Sequence, residues 1–191
     1  MTEAGRERGL FGVIFDLDGV LTDSEHWHQQ SWVVLAQEQG IPMSEELFRQ
    51  TFGQTNRSIL QLLLGKDLSE DRIQEISLRK AELFREQARG RLNLFPGARE
   101  WVESLAGDGR FRMGIGSSTS RKNIEFALDQ TGLIPYFSTW VGAEDITRGK
   151  PFPDVFLLAS ERLHAAPSRC VVLEDAVVGI EAAQAAGMVS I

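Results

Sequence analysis

The chain reads as an α/β protein: a three-layer, doubly wound parallel sheet with an α-helical cap inserted after its first strand. Three observations carry this reading. Short apolar runs lie at 10–15, 111–116, 139–142, 169–173 and 188–191. Helical patterns at 120–130, 151–163 and 176–186 separate the later ones, the spacing of βαβ units with both sheet faces covered. Between 24 and 95 the character changes, with several helical patterns in succession and no convincing strand. Right-handed crossovers then wind the strands into one layer between two layers of helices.

The first run ends in Asp16 and Asp18, two carboxylates two residues apart, followed at once by Gly19. Such a pair does nothing for packing, and buried carboxylates are costly unless a cation or hydrogen bonds compensate. A turn at Gly19 lets both converge on a cleft at the carboxyl end of the strand, where open α/β sheets bind ligands. The inserted stretch opens with an amphipathic pattern at 25–39. A second helix, 55–64, starts at the N-cap candidate Thr55, and a third, 69–88, starts at Ser69 with Glu70 and Asp71 behind it. Phe95-Pro96-Gly97 then breaks the chain. The division is a core at 1–23 and 96–191 and a cap at 24–95, with hinges near Ser24 and Phe95.

The run at 111–116 passes into Ser117-Ser118-Thr119-Ser120 before a helix, and hydroxyls and backbone N–H groups at a helix start favour an anion. Ser120 or Thr119 also suits the N-cap. Lys150-Pro151-Phe152-Pro153-Asp154 follows a glycine loop and sets a lysine before a helix that starts with proline. Val171-Val172-Leu173-Glu174-Asp175 repeats the opening logic, a buried strand ending in acids.

With 191 residues, 42% hydrophobic and 25% charged, the chain has an ordinary globular composition. Its net charge of −7 and pI near 5.1 argue against a nucleic-acid binder. They leave room for an anionic substrate held by a metal ion and local bases. The single cysteine, Cys170, lies in an apolar run and reads as a small buried hydrophobe. There is no signal-peptide pattern and no run near the ~20 apolar residues of a membrane span. A cytoplasmic protein without a membrane partner is expected, as a monomer or weak dimer. The last apolar run starts and the chain stops, which leaves that strand without a following helix.

The segment from Phe15 to Ser24 closely resembles motif I of the haloacid dehalogenase (HAD) superfamily, and the later motifs follow in order over essentially the whole chain. The resemblance implies Mg²⁺-dependent phosphoryl transfer through an aspartyl-phosphate. It assigns Asp16 as nucleophile and Asp18 as general acid and base. Ser117 becomes the phosphoryl-binding hydroxyl of motif II and Lys150 the ammonium of motif III. The Mg²⁺ set is Asp16, the Asp18 carbonyl and Asp175, with Glu174 supporting it directly or through water. Ser118 and Thr119 extend the phosphate site. The string Leu173-Glu174-Asp175-Ala176-Val177-Val178-Gly179 and the early insert resemble the β-phosphoglucomutase and phosphoglycolate-phosphatase branch.

In the cap, Gly53, Gln54 and Arg57 fall in the loop that closes on substrate. His28 and Trp32 share one helix face, either for substrate or for packing. Lys80 sits on the stripe Ile73, Ile76, Leu83 and Phe84, facing substrate or snorkelling outward. Mutases place an arginine where Asn56 stands, and a Lys-Asn pair where Ser120 and Arg121 stand. These departures favour hydrolysis of a small phosphomonoester, a sugar phosphate or similar metabolite, over a phosphomutase. A non-catalytic phosphate-binding protein is the remote third reading.

Overall fold

Five parallel strands in the order β5-β4-β1-β6-β7 form the sheet: β1 (Phe11–Phe15), β4 (Phe111–Gly116), β5 (Thr139–Val141), β6 (Cys170–Leu173) and β7 (Val189–Ser190). The computed structural model describes residues 11–191. Leu10, expected in the first strand, lies outside the described residues, as does the rest of 1–10. The expected doubly wound sheet is present, with helices on both of its faces.

Alternation along β1 explains the two layers. Val13 and Phe15 face one side, with Met113 and Ile115 of β4, Val102 of helix α5 (Ala98–Gly107), and Ile124, Ala127 and Leu128 of α6 (Arg121–Thr131). Ile14 faces the other side, with Val172 of β6, Phe156 and Ala159 of α7 (Asp154–Arg162), and Ala182 and Ala183 of α8 (Val177–Ala185). These side chains are almost wholly buried.

The insert carries α1 (Glu25–Gln39), α2 (Glu45–Thr51), α3 (Asn56–Leu64) and α4 (Glu70–Ala88). It has an apolar cluster of its own, including Trp32, Leu35, Phe48, Leu60 and Ile76. Two of its expected starts hold: Thr55 Oγ1 accepts from Ser58 N at 3.2 Å, and Ser69 Oγ accepts from Arg72 N at 3.4 Å.

Three expectations need correction. The stretch 24–95 is not free of strand, because β2 (Thr22–Asp23) and β3 (Asn93–Leu94) pair antiparallel and set the two ends of the insert side by side. The helix expected over 151–163 starts only at Asp154. Pro153 has no N–H and disfavours helical backbone in the residue before it. Helices α2 and α5 were not expected from the sequence at all.

Candidate active site

Strand register assembles the site. Phe15 pairs with Ile115 on one side and Leu173 on the other, so the residues that leave the three central strands emerge together. Asp16 N donates to Leu173 O at 2.9 Å, and Ser117 N donates to Val141 O at 3.0 Å. Asp16, Ser117 and Glu174 thereby share the carboxyl edge of the sheet.

Lys150 binds two of these groups. Its Nζ donates to Asp16 Oδ1 at 2.7 Å and to Glu174 Oε2 at 2.6 Å, and all three side chains are buried. Burial alone would strip the ammonium of its proton, but the two carboxylates hold its pKa above the ordinary lysine value. Burial pushes the Asp16 carboxyl well up. Lys150 pulls it down, and the Glu174 and Asp18 charges add to the rise. Asp175 is raised by burial first and by Glu174 second.

Asp16, Glu174 and Asp175 bring carboxylate oxygens within 4.8 Å of one another. Crowded anions with an oxygen-only donor set fit a hard divalent cation such as Mg²⁺. The backbone is shaped for the crowding. Gly19 has φ +93°, and a Cβ there would lie 2.2 Å from Asp175 Oδ2. A Cβ at Gly179, on α8, would lie 2.0 Å from Cδ of Glu174.

Asp18 belongs to a second unit. Its Oδ1 accepts from Ser24 Oγ at 2.6 Å and lies 3.1 Å from His28 Nε2. His28 Nδ1 lies 2.5 Å from Lys80 Nζ. When Lys80 carries its proton the ammonium only donates, so Nδ1 accepts and the imidazole proton lies on Nε2, on the side of Asp18. His28 stacks on Phe84 with ring centroids 4.1 Å apart, and Lys80 Nζ lies 5.7 Å from the Trp32 ring centroid.

Burial and then Lys80 lower the His28 pKa. Burial raises Asp18, but His28 and Ser24 outweigh it, leaving its carboxyl below the ordinary value. Burial lowers Lys80 to about 7, and only the more distant Asp18 charge opposes it. Of the two sequence alternatives for Lys80, snorkelling does not occur, since the side chain is 3% exposed and points inward at His28.

These units meet in a cavity of about 50 Å³ lined by Asp16, Asp18, His28, Trp32, Gly53, Gln54, Asn56, Lys80, Ser117, Ser118 and Thr119, over an apolar floor that includes Phe48 and Ile59. Ser117 Oγ accepts from Thr119 N at 3.2 Å. Ser118 Oγ is buried with no hydrogen-bond partner among the described residues, an orphan hydroxyl facing the carboxylates. Arg57 is absent from this cavity. It lines the neighbouring cleft, where both its terminal nitrogens bind the Glu70 carboxylate. Asp154 of the KPxPD string binds Arg148 at 2.8 Å, away from the carboxylates.

Ser24 was not singled out from sequence. It precedes α1 at the cap position yet makes no cap bond, because Asp18 takes its hydroxyl. A serine at a helix start signals a cap, so the usual rule hides this role.

A family model described as a haloacid dehalogenase-like hydrolase matches residues 12–187. The phosphorylated carbohydrates phosphatase of Thermotoga maritima is 33% identical over 180 residues, covering 92% of this chain and 81% of that one. The fructose-1-phosphate phosphatase YqaB of Escherichia coli is 31% identical over 177 residues, covering 93% of each. The crystal structure of β-phosphoglucomutase from Clostridium difficile superposes with a TM-score of 0.84 at 25% identity, over 95% of this chain and 83% of that one. A match of this extent, with the acids, hydroxyl and lysine gathered at one edge of the expected sheet, places the chain in the haloacid dehalogenase-like hydrolase family.

Proposed function

We propose that this enzyme is a Mg²⁺-dependent phosphatase acting on a small phosphomonoester, a sugar phosphate or similar metabolite, through an aspartyl-phosphate at Asp16. The observation that carries the reading is the division of the acids. Asp16 lies among Lys150, Glu174 and Asp175, while Asp18 is held apart by Ser24 and His28. That division supports a cation-binding role for the first carboxylate and a proton-transfer role for the second.

Asp16 Oδ attacks phosphorus as the bond to the leaving oxygen breaks, and Asp18, which enters this step protonated although His28 and Ser24 favour its carboxylate in the free enzyme, gives that oxygen its proton. Asp18 then takes a proton from water, whose oxygen attacks the aspartyl-phosphate and releases phosphate and free Asp16. Lys150 offsets charge on Asp16 and on the transferring group. The hydroxyls of Ser117 and Ser118, with Thr119, hold the phosphoryl oxygens. Asp16, Asp175, the Asp18 carbonyl and Glu174 would hold the metal, which when bound neutralises phosphate charge.

The segment 24–95 acts as a cap that closes water out, hinging where β2 and β3 bring its ends together. Gly53, Gln54, Trp32, His28 and Lys80 are its contribution to the substrate side. The phosphorylated sugars named for the Thermotoga and Escherichia relatives support the substrate class. A cytoplasmic site of action suits such metabolites. No described helix is long and apolar enough to cross a membrane.

A second reading, a phosphomutase, is favoured by one observation. The buried His28–Lys80 contact sits on a scaffold like that of the Clostridium β-phosphoglucomutase. The test is phosphate release from a panel of sugar phosphates with Mg²⁺ and with a chelator, alongside NMR of β-glucose 1-phosphate. Metal-dependent phosphate release is expected. Glucose 6-phosphate without free phosphate would replace the phosphatase with the mutase.

A further inference from the structure

Resting on the phosphatase reading, we propose that the leaving group sits in the cleft beside the reaction cavity, and that this cleft selects uncharged, hydroxylated leaving groups over those bearing a second phosphate. The two spaces differ in size by an order of magnitude. The cavity at Asp16 and Asp18, which Trp32, His28 and Lys80 also line, measures about 50 Å³, enough for the phosphoryl group and the ester oxygen that these side chains face and not for a whole sugar. The adjoining cleft measures about 600 Å³, within the range of ligand sites. Gln54, Asn56 and Ser118 line both, so one substrate can span them.

The cleft wall is built of amides and hydroxyls, among them Gln61, Gln74, Ser77, Ser120 and Thr147. Ile73, Leu78 and Ala81 of α4 give it an apolar strip. Amides and hydroxyls set against carbon match a polyol, which has O–H groups on some sides and C–H on others.

Its charges are already spent. Each cation lining it binds a carboxylate: Arg57 binds Glu70, Arg148 binds Asp154 at 2.8 Å, and Lys150 binds Asp16 and Glu174. Glu70 and Glu144 also line the wall. The Arg57–Glu70 pair is neutral as a unit, so a second phosphate here would meet the Glu144 carboxylate and no unclaimed cation among the described residues that line the cleft, and like charges close together cost binding.

The test compares loss of the C1 phosphate, read by ³¹P NMR, from fructose 1-phosphate and from fructose 1,6-bisphosphate, which adds a phosphate on O6 and thereby fixes the furanose ring, with acetyl phosphate as a small reference. Wild type should favour the monophosphate in kcat/KM by about tenfold or more. Glu70→Gln, which releases the Arg57 guanidinium into the cleft, should narrow that ratio by about fivefold or more. The double variant Arg57→Gln/Glu70→Gln should restore it. A wild-type ratio near one, or a ratio that Glu70→Gln leaves alone, overturns the cleft assignment while the phosphatase reading stands. If none of the three compounds releases phosphate, the phosphatase reading falls and takes this inference with it.

Discussion

Two lysines, one in the core and one in the helical insert, are equally hidden and oppositely charged in tendency. Lys150 is 4% exposed and Lys80 is 3% exposed. Lys150 sits where three strands end, and the strands deliver two carboxylates within 2.7 Å of its Nζ. Lys80 sits on a helix among Trp32, Phe84 and His28, with an imidazole as its nearest polar partner. The first holds its proton more tightly than lysine in water, and the second falls to about 7. Burial sets the cost in both places, and the partner decides whether the charge survives it. Sheet edges gather charged side chains from distant sequence, whereas the insert's helices bury apolar faces. The core can therefore keep fixed charges for chemistry while the cap carries a titrating one.

The sharpest way to break the contrast is to remove the group that Lys150 serves. Asp16→Asn should lower phosphate release by about 10⁴-fold or more, since it takes away the nucleophile and leaves the fold standing. Next is the same substitution at both lysines. Lys150→Met strands Asp16 and Glu174 without their cation and should cost about 3–5 kcal/mol in denaturant unfolding, with activity down about 10²–10³-fold.

Lys80→Met should lower kcat/KM less, by about 10–100-fold, through the lost His28 contact. Its stability effect should run the other way. The folded pKa lies near 7, against an ordinary 10.5, so between those values the unfolded chain holds a proton that the folded chain lacks. Wild-type stability therefore gains with pH from this group, by up to about 1.4 kcal/mol per unit. The methionine variant should lose that gain and be the more stable protein at neutral pH. Urea unfolding at pH 7, 8 and 9 reads both signs. The smallest effect is Gly179→Ala, whose Cβ must displace the Glu174 carboxyl. A loss of about 1–3 kcal/mol is expected, with metal affinity weakened.

The same contrast explains what was legible in the sequence. The core strands came through because β1 and β6 are continuous apolar runs, and β4 is apolar but for Arg112, and all three end abruptly in acids or hydroxyls. Helix α5 carries the stripe Ala98, Trp101, Val102 and Leu105 at helical spacing, but its ten residues hold only two turns of that pattern, beside the breaks at Pro96-Gly97 and Gly107. Helix α2 has seven residues, too few for periodicity to register. The strands β2 and β3 have two residues each and are made by pairing across the insert.

In the site, Asp16, Ser117 and Glu174 could be placed together because each directly follows a strand, whereas Lys150 lies in the loop between β5 and α7 and was placed by the resemblance of its Lys-Pro-Phe-Pro-Asp string. The Lys80–His28 contact joins residues 52 positions apart, and no local pattern encodes it. Arg57 and Asn56 are neighbours in sequence, but the turn of α3 sends Asn56 to the reaction cavity and Arg57 to Glu70.

The measurement that bears most directly on the chemistry is a covalent trap. Protein mixed with Mg²⁺ and ³²P-labelled acetyl phosphate, quenched in acid and digested, should carry label on the peptide containing Asp16. Hydroxylamine should release that label, and Asp16→Asn should never acquire it. Phosphate released by wild-type protein with no label at Asp16, or with label on another residue, would contradict the account.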